Sequence, residues 1–194
     1  MKTIEQLWKL LENVELVQVR PVEMEAMYKH CFEFKGPTII EIGSAHGASS
    51  IIFGEAVKEL GGILYCIDHF PEDYYNQPKF GKYAKERFLK NMRPYKEHYM
   101  HIDFPSDKAL PAIQNAWGDV QEVNCDVLFI DGNHDYEAVK KDIELYMPTL
   151  RKGGYVGFHD YYNVAFGVQK AVDENRAALE GPIKYWDLAV FKKL

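Results

Sequence analysis

The sequence predicts an α/β fold built on a doubly wound, mostly parallel sheet, with two helices in front of it and an antiparallel strand or hairpin at its end. Three observations carry that expectation. Apolar β-type runs alternate with amphipathic helical stretches along the chain, the rhythm of a parallel sheet with helices on both faces. The first run passes into a helix through a glycine-containing turn, Glu41-Ile-Gly-Ser-Ala-His-Gly47. The first, second, fourth and fifth runs each end in or just before an acidic residue, Glu41, Asp68, Asp131 and Asp160. In open sheets of this kind ligands bind beyond the carboxyl ends of the strands, and a carboxylate recurring at that edge is hard to explain as packing.

The elements follow in order. Ile4, Leu7, Trp8 and Leu11 have the spacing of an amphipathic helix, and Thr3 with Gln6 resembles a capping box. Charge alternates with leucine there and no cleavage site follows, so the stretch reads as a helix and not as a signal peptide. A second helix opens at Pro21. These helices form a cap over residues 1–36, ahead of an α/β core over 37–194, and the whole is expected to be one domain. Strands are expected over 38–42, 63–68, 98–103, 126–131 and 155–160, and helices over 48–60, 80–92, 106–117, 136–150 and 168–179. Gly61-Gly62 and Gly153-Gly154 fall where helices should end, and their tolerance of positive φ suits C-terminal caps. The tail IKYWDLAVFKK reads as one long strand or a tight hairpin.

Composition narrows the function. Hydrophobic residues make up 47% and charged residues 27%, ordinary for a soluble globular chain. A net charge of −6 argues against a nucleic-acid partner, which wants a basic face, and favours a small-molecule or glycan ligand. No run reaches the ~18 to 20 apolar residues of a membrane helix. Cys31, Cys66 and Cys125 are odd in number and read as core residues in a reducing compartment, so a cytoplasmic location is expected. A homo-oligomer stays open.

Two constellations carry chemistry. Glycines at 43 and 47 let the backbone turn sharply near a ligand, at a helix N-terminus with unpaired N–H groups. Asp68, at the end of the second strand, can accept hydrogen bonds from both hydroxyls of a ribose, although a strand-end Asp also caps turns. The second constellation lies in CDVLFIDGNHDYEAVKKDIELYMPTLRKGGYVGFHDYYN. Asp131 ends the fourth strand, His134 follows in the turn, and His159-Asp160 end the fifth strand beside it. Two carboxylates and an imidazole suit a divalent ion: magnesium or manganese where oxygens dominate, zinc where the imidazole binds. His134 is then free to act as a base.

The order ExGSxxG, strand-terminal Asp, DGxH, Lys/Arg-x-GG and HD resembles the class I, Rossmann-like S-adenosylmethionine-dependent methyltransferases, closest to the group with sugar and macrolide O-methyltransferases. The resemblance covers roughly residues 37–175. It implies cofactor binding by Glu41, Gly43, Ser44, Ala45, Gly47, Ser49, Asp68, His69 and Asp131, with Asp103 to Ser106 flanking the adenine. It also implies magnesium or another divalent metal on Asp131, His159 and Asp160, and catalysis by His134 with Asp131 and Asp160. Ala45 stands where many members have glycine, His159 replaces one acid of an acidic pair, and the tail after Leu179 is short for the family's closing hairpin.

The expected reaction is an in-line methyl transfer to a small hydroxyl acceptor. The aromatic stretch PEDYYNQPKFGKY, with Tyr74, Tyr75, Phe80 and Tyr83, is positioned to form a lid or to pack on its own helix. Lys79, Lys82, Lys85, Arg87, Lys90, Arg93 and Lys96 read as a solvated basic face, or as a receiver of an anionic substrate. Two rival readings remain: a non-catalytic protein that binds the same cofactor, and an NAD(P)-dependent oxidoreductase. Tyr136-x-x-x-Lys140 matches the spacing of short-chain dehydrogenases, but it follows the fourth strand directly, one strand early for that family. A metal hydrolase would leave the Glu41 to Gly47 loop and Asp68 without a purpose.

Overall fold

The computed structural model describes residues 1–71, 83–116 and 123–194. Its sheet is seven-stranded, in the order β3-β2-β1-β4-β5-β7-β6. Strands β1 (Thr38–Ile42), β2 (Ile63–Ile67), β3 (Tyr99–Ile102), β4 (Cys125–Ile130) and β5 (Leu150–Phe158) pair in parallel. Strands β6 (Leu179–Tyr185) and β7 (Leu188–Lys193) close the sheet in antiparallel fashion. Every residue of β4 is buried, as a central strand covered on both faces requires.

Helices α1 (Ile4–Leu10), α2 (Pro21–Cys31), α3 (Ala48–Leu60) and α4 (Ala84–Met92) pack on one face, around Leu7, Met24, Ile52, Phe88 and Phe129. Helices α5 (Ser106–Ala116), α6 (Tyr136–Tyr146) and α7 (Val168–Asn175) cover the other, around Ile113, Ile143, Ala171, Leu128 and Val156. Strand order reverses between β1 and β4, the switch point at which such sheets open a crevice. Thr3 and Gln6 form the expected capping box on α1. No helix among the described residues is long and apolar enough to cross a membrane.

Several local expectations are corrected. Trp8 is 45% exposed; Leu7 and Leu11 carry the buried stripe of α1. Gly61 caps α3 at φ +72, but Gly153-Gly154 do not cap a helix. Helix α6 stops at Tyr146, a single 3-10 turn spans Met147–Thr149, and β5 already begins at Leu150. The glycine pair therefore lies inside β5, where Gly153 takes φ +75 opposite a register shift between Cys125 and Val127. Here the glycines serve a strand irregularity. Helix α7 ends at Asn175 because Leu179 already belongs to β6. The tail is long enough for a hairpin after all, since Tyr185 pairs directly with Leu188 across the Trp186-Asp187 turn and Trp186 takes φ +58.

Asp126 ties the amino ends of three strands together. Its Oδ2 accepts the Thr38 N–H at 2.7 Å, and its Oδ1 lies 2.8 Å from Arg151 Nε, with the residue 8% exposed. Removing the carboxylate strands a buried N–H, which costs about 1–3 kcal/mol. Asp126→Ala should lower the melting temperature by roughly 2–12 °C, at ~2–4 °C per kcal/mol for a domain of this size. Thermal denaturation checks it, and ligand affinity measured alongside should not change, because the residue sits at the opposite end of the strands from the cleft.

Candidate active site

A cleft of about 1050 Å³ opens at the carboxyl ends of β1, β2, β4 and β5. Its first half is the loop between β1 and α3. Gly43 takes φ +86, and a Cβ there would lie 2.0 Å from the Asp131 carbonyl oxygen, so only glycine lets β1 and β4 end side by side. Ala45 takes φ +43, a left-handed conformation that glycine adopts at no steric cost. Asp68 holds the loop from β2. Its Oδ2 accepts the N–H groups of Ser44 and Ala45, each at 3.0 Å, and its Oδ1 accepts the Phe70 N–H at 2.8 Å. Asp68 is thus a turn cap and a wall of the cleft at once.

The other residues assigned to this half divide. Ser44, Ala45, Ser49, His69 and Ser106 line the cleft with Gly43. Glu41 is fully buried behind it: its Oε2 accepts the hydroxyls of Ser44 and Ser50, its Oε1 has no hydrogen-bond partner, and burial pushes the carboxyl up to about 7. The carboxylate braces the loop from below. Gly47, at φ +87, starts α3, and a Cβ there would meet Phe88 at 3.3 Å. Asp103 does not reach the cleft wall. It turns outward to pair with Lys85, leaving Phe104, Pro105 and Ser106 as the lining after β3.

The second half gathers around Asp131, whose N–H donates to the Ile42 carbonyl at 2.8 Å. His134 Nε2 lies 3.4 Å from Asp131 Oδ1 and 3.4 Å from Asp160 Oδ2. His159 Nδ1 lies 3.3 Å and 3.1 Å from the same two oxygens. Asp160 takes φ +55, which an aspartate tolerates better than most residues. Phe166 packs on the His134 ring, with centroids 4.5 Å apart. Burial alone would raise the Asp131 carboxyl, but His159 and His134 outweigh it and hold it down at about 2. Burial would likewise depress both imidazoles, yet Asp131 and Asp160 raise each above its ordinary value. Asp131, His134 and Asp160 offer one ligand atom each, all within 4.8 Å of one another. That set contains His134; His159, the imidazole expected from the sequence, lies as near both oxygens but sits deeper, at 6% exposure.

Sequence reasoning missed several walls. Asp142 lines the cleft at 3% exposure, and burial pushes its carboxyl up to about 6. It was findable, since it shares the buried stripe of α6 with Val139, Ile143 and Tyr146. Leu16, Gln18 and Val19, between α1 and α2, also reach the cleft, and no local pattern marks them. Tyr74, Tyr75, Phe80, Lys79 and Lys82 of the expected lid and basic stretch lie outside the described residues; Tyr83 is exposed. Lys85 and Arg87 are paired with Asp103 and Glu15.

This is the layout of a doubly wound α/β protein with its cleft at the switch point. Residues 40–161 match the family described as a methyltransferase domain, and the chain belongs to that family. It is 30% identical over 164 residues to protein R132 of Acanthamoeba polyphaga mimivirus, covering 79% of this chain and 67% of R132. Among solved structures it is similar to the O-methyltransferase NovP, with TM-score 0.73, 18% identity, and coverage of 91% of this chain and 81% of NovP. The SAH-bound methyltransferase PaMTH1 of Podospora anserina aligns with TM-score 0.68 and 12% identity, over 98% and 87% of the two chains.

The loop geometry makes two substitutions move stability in opposite directions. Gly43→Ala, which meets a backbone oxygen, should cost about 3 kcal/mol or more and remove the cleft. Ala45→Gly relieves a left-handed alanine worth ~1–2 kcal/mol, less the added freedom of the unfolded chain, for a net gain of ~0.5–1 kcal/mol. Denaturant titration of both variants checks the signs.

Proposed function

We propose that the protein is an S-adenosylmethionine-dependent O-methyltransferase acting on a small, hydroxyl-bearing acceptor with the help of a divalent cation. One observation carries the reading: the Gly43 loop held by Asp68 and the acid–imidazole cluster of Asp131, His134, His159 and Asp160 border one cleft. Membership of the methyltransferase family, the SAH bound by PaMTH1 and the O-methylation named for NovP support it.

The residues fit the cofactor. Asp68 Oδ2 is filled by the Ser44 and Ala45 N–H groups, while Oδ1 accepts one N–H and keeps lone-pair capacity for a ribose hydroxyl. When bound, S-adenosylmethionine supplies an electrophilic methyl on a cationic sulfonium. Asp68, Asp107, Asp131, Asp142 and Asp160 line the cleft, and Lys141 among them lies 2.9 Å from Asp107. That balance favours a cationic cofactor and a neutral acceptor over a phosphate-rich one. The donor set also fits a metal. Asp131 and Asp160 would hold it, with Asp131 already ionised, as a ligand must be. Magnesium or manganese suits the two carboxylates, and when bound the ion supplies Lewis acidity to an acceptor oxygen.

The chain's own residues do the rest. Asp68 and the loop N–H groups fix the cofactor side, so the acceptor oxygen can be aligned for in-line attack. Leu16, Val19 and Phe166 give the cleft apolar walls, with Phe166 packed on the His134 ring. His134 takes the hydroxyl proton as the oxygen attacks, with Asp131 and Asp160 stabilising the imidazolium that forms. The buried, unpaired thiols of Cys31, Cys66 and Cys125 support a cytoplasmic setting.

His134→Ala should lower turnover by about 10² to 10⁴ while leaving S-adenosylhomocysteine affinity within a few fold. Steady-state kinetics and calorimetry check this, and a loss of affinity with turnover intact would overturn the assignment. Dialysis against EDTA should abolish turnover and added Mg²⁺ restore it. Turnover that survives chelation would instead leave His134 and its carboxylates as a metal-free base.

A further inference from the structure

Glu23 lies in the first turn of α2, far from the motifs of the core, and is 1% exposed. Its Oε2 accepts the Arg20 N–H at 2.7 Å, and its Oε1 accepts the Asp187 N–H of the β6–β7 turn at 3.1 Å. The same Oε2 faces His159 Nε2 at 3.5 Å, an ion-pair contact at a buried ring nitrogen that makes no hydrogen bond. The His159 ring is thus wedged between Glu23 on one side and Asp160 and Asp131 on the other, the latter at 3.1 and 3.3 Å from Nδ1.

A helix start does not by itself call for a buried carboxylate. The bond to the Arg20 N–H is the N3 half of a capping box, which a neutral Gln makes as well without the several kcal/mol that desolvating a charge costs. A backbone N–H in a hairpin turn can face water. What a neutral cap cannot supply is a charged partner for an imidazole. A carboxylate behind a histidine ring fixes its rotation and decides which nitrogen faces the reaction centre, the part that outer partners play for histidines at metal and catalytic centres.

We propose that Glu23 is a positioning residue: it holds His159 so that Nδ1 faces Asp131 and Asp160, which makes the N-terminal helical cap a working part of the centre. The inference deepens the methyl-transfer reading and rests on it for its consequence. The geometry of Glu23 and His159 stands on its own.

The test uses the full-length chain and two variants. Glu23→Gln keeps the shape and removes the charge, and Glu23→Asp keeps the charge and shortens the reach should the Gln variant fold poorly. The readouts are the His159 ring nitrogen signals by NMR, Mn²⁺ affinity, S-adenosylhomocysteine affinity and the melting temperature. In the Gln variant the His159 signals should move and Mn²⁺ affinity should weaken about tenfold, with S-adenosylhomocysteine affinity within twofold. The Asp variant should show the same changes, smaller. A lowered melting temperature with His159 signals and Mn²⁺ affinity unchanged would overturn the proposal and reduce Glu23 to an anchor for α2 and the hairpin. If the unsubstituted protein binds no Mn²⁺, the metal part of the functional reading falls, and the His159 signals alone decide the role of Glu23.

Discussion

The site depends on the close approach of two strand ends. The Asp131 N–H donates to the Ile42 carbonyl, and the Asp131 carbonyl oxygen lies where a side chain on Gly43 would have to be. Gly43 begins the loop that Asp68 holds, and Asp131 begins the acid–imidazole cluster, so one backbone contact joins the two halves of the cleft. The neighbours follow in register. The Gly43 N–H donates to the Ile67 carbonyl, one residue before Asp68, and the His159 N–H donates to the Ile130 carbonyl, one residue before Asp131. With adjacent strands ~4.8 Å apart, the strand order alone sets the span from Asp68 to Asp160. No loop has to find its partner across open space.

The electrostatics of the cluster follow from that crowding. Asp131, Asp160 and Glu23 face His134 and His159, so the cluster keeps one negative charge even when both rings are protonated. Carboxylates this close and this buried are tolerated because the imidazoles lie between them, which is why Asp131 stays ionised despite its burial. The residual charge is of the sign that a sulfonium or a divalent cation would meet favourably.

Much of this was legible in the sequence. Strands β1, β2 and β3 are read to within a residue or so because each is a short apolar run with a turn residue on either side, and α3 is read to the residue because Gly47 and Gly61 bracket it. The acidic edge was equally plain, since Asp131, His134, His159 and Asp160 are close in sequence to strand ends. What stayed hidden had no local signature. Gly153-Gly154 looks the same in a helix cap and in a strand irregularity, and only the early start of β5 decides between them. Asp103 reads as a cleft carboxylate until Lys85 on a neighbouring helix captures it. Glu41 ends a strand as the other acids do, but strand alternation turns it under the loop toward Ser50. Glu23 looks like any acidic residue in a first helical turn, because its meaning lies in His159 and Asp187, remote in sequence.

The same tension between local and distant demands explains the strain in the first loop. Asp68 draws the Ser44 and Ala45 N–H groups to one oxygen, and both can point there only if the chain turns left-handed, which Ala45 does at φ +43. That conformation costs an alanine ~1–2 kcal/mol, while charge-assisted bonds to a carboxylate contribute ~1.5–3 kcal/mol each, so the carboxylate wins. The consequence is a loop shaped by the protein's own bonds, with Glu41 bracing Ser44 from beneath and Asp68 fixing it from the side. A ligand seated there meets a surface already ordered, and the free energy of its binding is not spent on ordering the backbone. Strain at Ala45 is therefore a consequence of pre-organisation, and it arises at the edge of the sheet where function, more than packing, sets the backbone.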